Sequence, residues 1–155
     1  MDSLDSPRFE EFGPLLIAGL RESYTDATST AIPAQWQRFE PFLGQVPGQV
    51  GGVAYGLVYP SAPPDEWDYV CGVQISDAAQ LPPALTSFTI PKQKYAVFSH
   101  TGYLATLRET WQYIWCKWLP QSGLRIAPTA RIEWYSESFR PKAPGGIELW
   151  IPIQC

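Results

Sequence analysis

The sequence predicts an α+β fold: a mainly antiparallel sheet with two helices on one face, built from two pseudo-symmetric βαββ repeats with a ligand channel between them. Three observations predict it. The apolar pattern reads strand, helix, strand, strand, and then runs through the same order again. Sliding the chain by about 78 residues lays the second run over the first, as a repeat of pattern rather than of residue identity. The prolines fall mostly between the periodic segments, where they read as turn chemistry rather than disorder.

The elements follow in order. Residues 15–24 read as a strand, closed by a Thr/Asp/Ser-rich stretch at 25–30. Ile32, Trp36, Phe39 and Leu43 recur at helical spacing, Pro33 suits a first helical turn, and Gly44 and Pro47 end the run. Gly51-Gly52 opens a strand at 53–59, and a turn from Ser61 to Asp65 leads into a strand at 67–75. After Pro82-Pro83, residues 87–99 are strand-like, with Pro91 marking a bend or an edge. Residues 103–118 form the stronger helix, with Leu104, Leu107, Trp111, Ile114 and Trp118 in one apolar stripe and Pro120 and Gly123 as its stop. Strands at 125–135 and 146–153 complete the second unit. The repeat pairs 15–24 with 93–102, the Trp36 helix with the Trp111 helix, 53–59 with 131–137, and 68–75 with 146–153. The whole chain, 1–155, is expected to be one domain, with repeat one at about 12–78 and repeat two at about 86–155.

Composition excludes several classes. The chain is 45% hydrophobic and 17% charged, which is globular, and its net charge of −4 argues against a nucleic-acid surface. Cys71, Cys116 and Cys155 are odd in number and lack metal spacing, so a reducing cytoplasm is the expected home. The acidic N-terminus has no signal-peptide pattern, and no apolar run is long enough to span a bilayer. His100, the only histidine, has no neighbouring nucleophile motif and reads as a strand-end structural residue. No metal constellation or cofactor is expected.

Several stretches resemble the GyrI-like effector-binding family, also found as the drug-sensing part of AraC- and MerR-type regulators. They are Phe12-Gly13-Pro14 with Leu16-Ile17-Ala18-Gly19-Leu20, Tyr55-Gly56, Ile90-Pro91 with Tyr95-Ala96-Val97-Phe98, and His100-x-Gly102. Trp118-Leu119-Pro120-x-Ser122-Gly123, Ile132-Glu133-x-Tyr135 and the closing Gly146-Ile147-Glu148-Leu149-Trp150-Ile151-Pro152-Ile153 follow in the expected order. The resemblance implies a pseudo-twofold pair of βαββ units with a binding channel, hydrophobic and often cationic ligands, and ligand contact by Glu148 and Glu133. With no room for a DNA-binding domain, the chain is expected to act as a stand-alone binding module for small hydrophobic cations, without direct nucleic-acid or membrane contact. Some members of similar fold hydrolyse strained-ring toxins, and others inhibit gyrase, so a hydrolase and a protein-interaction domain are the alternatives.

The residues point to the same site. Ile147, Leu149, Ile151 and Ile153 alternate toward the helix-packed face, which sends Glu148 and Trp150 to the opposite face, the one open to a ligand. Glu133 and Tyr135 are expected to repeat that arrangement on the preceding strand, away from Ile132 and Trp134. Two carboxylates on one concave face would favour a cation, and surrounding rings would add cation–π attraction. Solvated or ion-paired surface carboxylates are the competing reading. Tyr55 aligns with Glu133 in the repeat, and Trp115 is offset from the helix stripe and within reach of the channel. Tyr69, Trp111 and Trp118 are expected in the core.

Overall fold

The computed structural model describes residues 6–25, 27–60, 66–140 and 142–154. In chain order its main elements are β1 (Arg8–Phe12), β2 (Leu15–Thr25), α1 (Ile32–Phe39), β3 (Gln49–Pro60), β4 (Glu66–Ile75), β5 (Thr86–Ile90), β6 (Gln93–His100), α2 (Leu107–Tyr113), β7 (Arg131–Tyr135) and β8 (Ile147–Pro152). The eight strands form one sheet in the order β1-β6-β8-β7-β3-β4-β2-β5, and every paired neighbour is antiparallel. The expected turn at Ser61 to Asp65 lies outside the described residues.

The order of the sheet contains an exchange. β1 precedes β2 in the chain but pairs with β6, while β5 precedes β6 but pairs with β2. Each half thus supplies the edge strand of the other. Only Gly13-Pro14 joins β1 to β2, and only Pro91-Lys92 joins β5 to β6, although each pair lies toward opposite ends of the sheet. Links this short force the sheet to curl until its ends meet. Gly13 marks the meeting point. Its φ is +101°, and a Cβ there would stand 2.9 Å from the Pro91 carbonyl oxygen. The strand expected at 87–99 is therefore two strands, because Pro91 cannot donate to a ladder and the chain changes partners there.

The curl has an inner and an outer face, and both are packed. Phe12, Leu15, Ile17, Tyr55, Leu57, Val70, Ile90, Tyr95, Val97, Ile132 and Trp150 fill the inside, with contributions from all eight strands. The outside carries the helices. Phe39 and Trp36 of α1 pack on Ala18, Tyr69, Cys71 and Val73, while α2 and its continuation pack on Phe98, Ile147, Leu149 and Ile151. The face expected to lie free for a ligand is consequently a second hydrophobic core. The strand patterns do not distinguish the two, because a strand buried on both sides reads as a continuous apolar run.

Buried polar side chains fix the helices in place. Gln35 of α1, fully buried, donates to the carbonyls of Tyr69 (2.9 Å) and Leu20 (3.0 Å) and accepts from the Tyr24 hydroxyl at 2.7 Å. His100 ties α2 to the sheet, with Nδ1 2.7 Å from Thr110 Oγ1 and Nε2 2.7 Å from the Tyr103 carbonyl. The helix expected over 103–118 is not uniform. A 3₁₀ turn (Leu104–Thr106) leads into α2, a π turn (Ile114–Trp118) follows, and a last α-helical turn (Leu119–Ser122) ends at Gly123 in the left-handed region. A π turn inserts one residue and rotates the side chains beyond it, which is common beside functional sites. β7 begins at Arg131 rather than 125, with Ile126 held only by a bridge to Ile153.

Candidate functional site

β3 and β7 pair at the centre of the sheet, where the two halves meet. On the helix-facing side their paired residues are Ala54 with Tyr135, Gly56 with Glu133, and Val58 with Arg131. α1 lies over the β4 side of this seam and α2 over the β8 side. The seam is floored by small β3 residues facing large polar β7 residues.

Glu133 occupies the middle of that floor and is only 7% exposed. Its carboxylate accepts from the Tyr69 hydroxyl at 2.6 Å, the Tyr135 hydroxyl at 2.8 Å and Trp111 Nε1 at 3.1 Å. Trp36 of α1 extends the network by donating from Nε1 to the Tyr69 hydroxyl at 3.1 Å. Its ring meets that of Tyr135 edge-on at 5.5 Å. Tyr69 comes from β4, Tyr135 from β7, Trp36 from α1 and Trp111 from α2. Both halves therefore build the aromatic cage around one acid.

Every partner of this carboxylate is neutral, and no Lys, Arg or His among the described residues forms an ion pair with it. Burial raises the Glu133 pKa above the usual carboxylate range, and the donated hydrogen bonds only partly oppose that rise. Burial and the adjoining Glu133 charge also hold both phenols well above their ordinary pKa, so they stay protonated donors.

Gly56 is what makes room for the acid. A Cβ there would lie 2.2 Å from the Tyr69 hydroxyl and 2.8 Å from Glu133 Oε1. The cross-strand partner of the buried acid must therefore lack a side chain.

The remaining predicted residues lie elsewhere. β7 pairs with β8 so that Glu133 faces Leu149 while Trp134 faces Glu148. Glu133 and Glu148 thus project from opposite faces, contrary to the expectation of a shared one. The expectation placed Ile132 and Trp134 toward the helices; they point into the curl instead. Glu148 is already neutralised by a two-pronged bond to Arg8 of β1, at 2.9 and 3.1 Å. Trp150 donates to the same carboxylate at 3.2 Å and stacks into the inner core. Tyr55, 4% exposed, is also in that core. Although the repeat aligns it with Glu133, Tyr55 faces the curl while Glu133 faces the helices, and the residue that pairs with Glu133 is Gly56. Trp115 stacks on Trp111 with centroids 5.7 Å apart and planes 9° from parallel, on the rim of the seam.

Sequence reasoning missed Tyr69, Trp111 and Trp36, which it assigned to core or stripe. One signal was available. Two aromatic helices and an acid inside an otherwise apolar strand require donors for that acid, and phenol or indole groups are the ones at hand. At one end the seam opens into a cleft of about 470 Å³, bordered by Leu43, Gly52, Ala54, Tyr135, Glu137 and Phe139.

Comparison with known proteins agrees with this architecture. The family model described as GyrI-like small molecule binding domain matches residues 5–154. Transcriptional regulator BrlR of Pseudomonas aeruginosa is 32% identical over 135 residues, which is 85% of this chain and 50% of that protein. The chain thus spans half the length of this curated relative. SAV2435 bound to tetraphenylphosphonium superposes with a TM-score of 0.79 at 18% identity, covering 96% of this chain and 93% of the other. EcmrR in a complex with DNA superposes with a TM-score of 0.69 at 15% identity, covering 95% of this chain and 56% of the other.

Proposed function

The chain belongs to the GyrI-like small molecule binding domain family, and from that premise we propose that it binds small aromatic cations at Glu133, in the seam between α1 and α2. One observation carries the reading: a carboxylate buried at the junction of the two halves with only neutral hydrogen-bond partners. A buried charge without a counter-charge is costly, and the cost falls when a cation is supplied from outside. The rings of Trp36, Trp111, Tyr69 and Tyr135 supply faces and edges for an aromatic cation, each good contact contributing roughly 0.5–2 kcal/mol. Tetraphenylphosphonium, found on SAV2435, has that chemistry: one delocalised positive charge wrapped in phenyl rings.

Entry of such a ligand requires Trp111 to give up its bond to Glu133. The two phenols remain to hold the carboxylate in place. Trp115 and Tyr135 form the rim and the floor. A regulator relative of twice the length suggests that occupancy of the seam is an input read by another segment, in the cytoplasm, where the free thiols of Cys71 and Cys116 would persist.

Calorimetric titration with tetraphenylphosphonium and with neutral triphenylphosphine oxide tests the proposal. The wild-type protein should bind the cation in preference. Glu133→Gln should lose at least roughly tenfold in affinity for the cation and little for the oxide. Equal cation binding by the two proteins sinks the electrostatic argument.

A further inference from the structure

Arg131 stands two residues before Glu133 on β7, on the same face, so the two Cα atoms are about 7 Å apart. It is the one arginine among the described residues that is not exposed. Its Nε is sealed from solvent and has no hydrogen-bond partner among the described residues. The nearest organised contact is the ring of Trp115, whose centroid lies 5.5 Å from the guanidinium carbon. Among the described residues no carboxylate is within ion-pair distance. By contrast Arg8, Arg21 and Arg38 each hold an acid although all three are exposed.

A part-buried guanidinium with an orphaned donor is a cost that proteins usually remove. The indole face offsets some of it but offers no acceptor to the N–H groups. Burial lowers the Arg131 pKa, yet an arginine remains a cation at any physiological pH. The two charged residues are also linked through the cage. Glu133 accepts from Trp111, Trp111 stacks on Trp115, and Trp115 lies under Arg131. Two parallel indoles therefore run from an unpaired anion to an unpaired cation along the rim of the seam.

We propose that Arg131 receives an anionic group of the ligand, so that the site selects planar aromatic zwitterions whose positive charge meets Glu133 and whose carboxylate meets Arg131 across the Trp111–Trp115 stack. This rests on the reading of Glu133 as the cation site, and it narrows the ligand class from lipophilic cations to those that also carry a negative group. The planar guanidinium fork suits a carboxylate approached edge-on, and both partners are partly desolvated.

Rhodamine B and its ethyl ester separate the two readings, because they share one aromatic cation and differ in a free carboxylate. Binding would be followed by fluorescence anisotropy at neutral pH with the full chain. The wild-type protein should bind the acid roughly five- to tenfold more tightly than the ester. Arg131→Gln should abolish that preference by weakening the acid while leaving the ester within about twofold, and Arg131→Lys should keep part of it. Glu133→Gln should weaken both dyes alike. Equal or tighter binding of the ester by the wild-type protein overturns the proposal while leaving the cation site standing. So does an equal loss of both dyes in Arg131→Gln, which would make Arg131 a packing residue. Failure of both dyes to bind the wild-type protein overturns the cation site and this proposal together.

Discussion

Glu133 and Glu148 sit on adjacent strands, one residue apart in register, and their surroundings differ in almost every respect. Glu148 points into the mouth of the curl, where Arg8 grips it with both terminal nitrogens and Trp150 adds a third donor. Glu133 points toward the helices, is more deeply buried, and meets two phenols and an indole. The first acid already has its cation. The second is held by neutral donors that keep it in place without satisfying its charge. An acid beside aromatic rings is therefore not enough to mark a cation site; what matters is whether the protein supplies the counter-charge itself.

The strongest way to break this comparison is to neutralise each acid in turn. Glu133→Gln should cut tetraphenylphosphonium affinity by roughly tenfold or more, whereas Glu148→Gln should change it by less than about threefold, read by calorimetry. Comparable losses would place the ligand on the other face. Next in size is Gly56→Ala. Its Cβ would overlap the Tyr69 hydroxyl and crowd Glu133, so the fold should lose roughly 1–3 kcal/mol. That corresponds to a fall in Tm of about 2–4 °C per kcal/mol for a chain of this size, with cation binding lost as well.

Proton linkage sharpens the contrast further. Because the Glu133 pKa is raised, the folded protein holds that proton more tightly than the unfolded chain does. The associated stability is fully present below the ordinary carboxylate pKa and is lost as pH rises through the raised value. At neutral pH, Glu133→Gln should accordingly melt no lower than the wild type, and a difference of a few degrees in its favour should shrink on acidification. Cation affinity runs the other way: it should weaken as pH falls through the Glu133 pKa, with proton release on binding visible as a buffer-dependent heat. The smallest effect belongs to Arg8→Met. Removing an exposed ion-pair partner should cost less than about 1 kcal/mol and leave tetraphenylphosphonium binding unchanged.

Much of this was legible beforehand, and the failures have physical causes. The alternation of Ile147, Leu149, Ile151 and Ile153 places the closing strand on the helices as expected, because one of its faces carries a polar residue that breaks the run. β7 carries the same kind of guide and it misleads, since Glu133 breaks the run as Glu148 does yet faces the helices, while Ile132 and Trp134 enter the curl. Its facing is settled only by pairing with β8, a fact of register rather than of local pattern. The same holds for Tyr55. Aligned with Glu133 in the repeat, it faces the curl instead, while the residue that pairs with the acid is a glycine with no pattern to show. The partner of Glu148 was invisible for another reason. Arg8 reaches it from β1, which crosses to the edge of the opposite half, and nothing in a ten-residue window announces such a crossing.

That crossing has a consequence for what a half of this molecule is. Divided between its repeats, the chain would yield two fragments, each trailing a strand that belongs on the other and each with a bare edge where the other's strand had been. Neither fragment is a smaller version of the whole. The halves also differ where they join, at the Gly56–Glu133 pair, where one contributes an acid and the other withdraws to give it space.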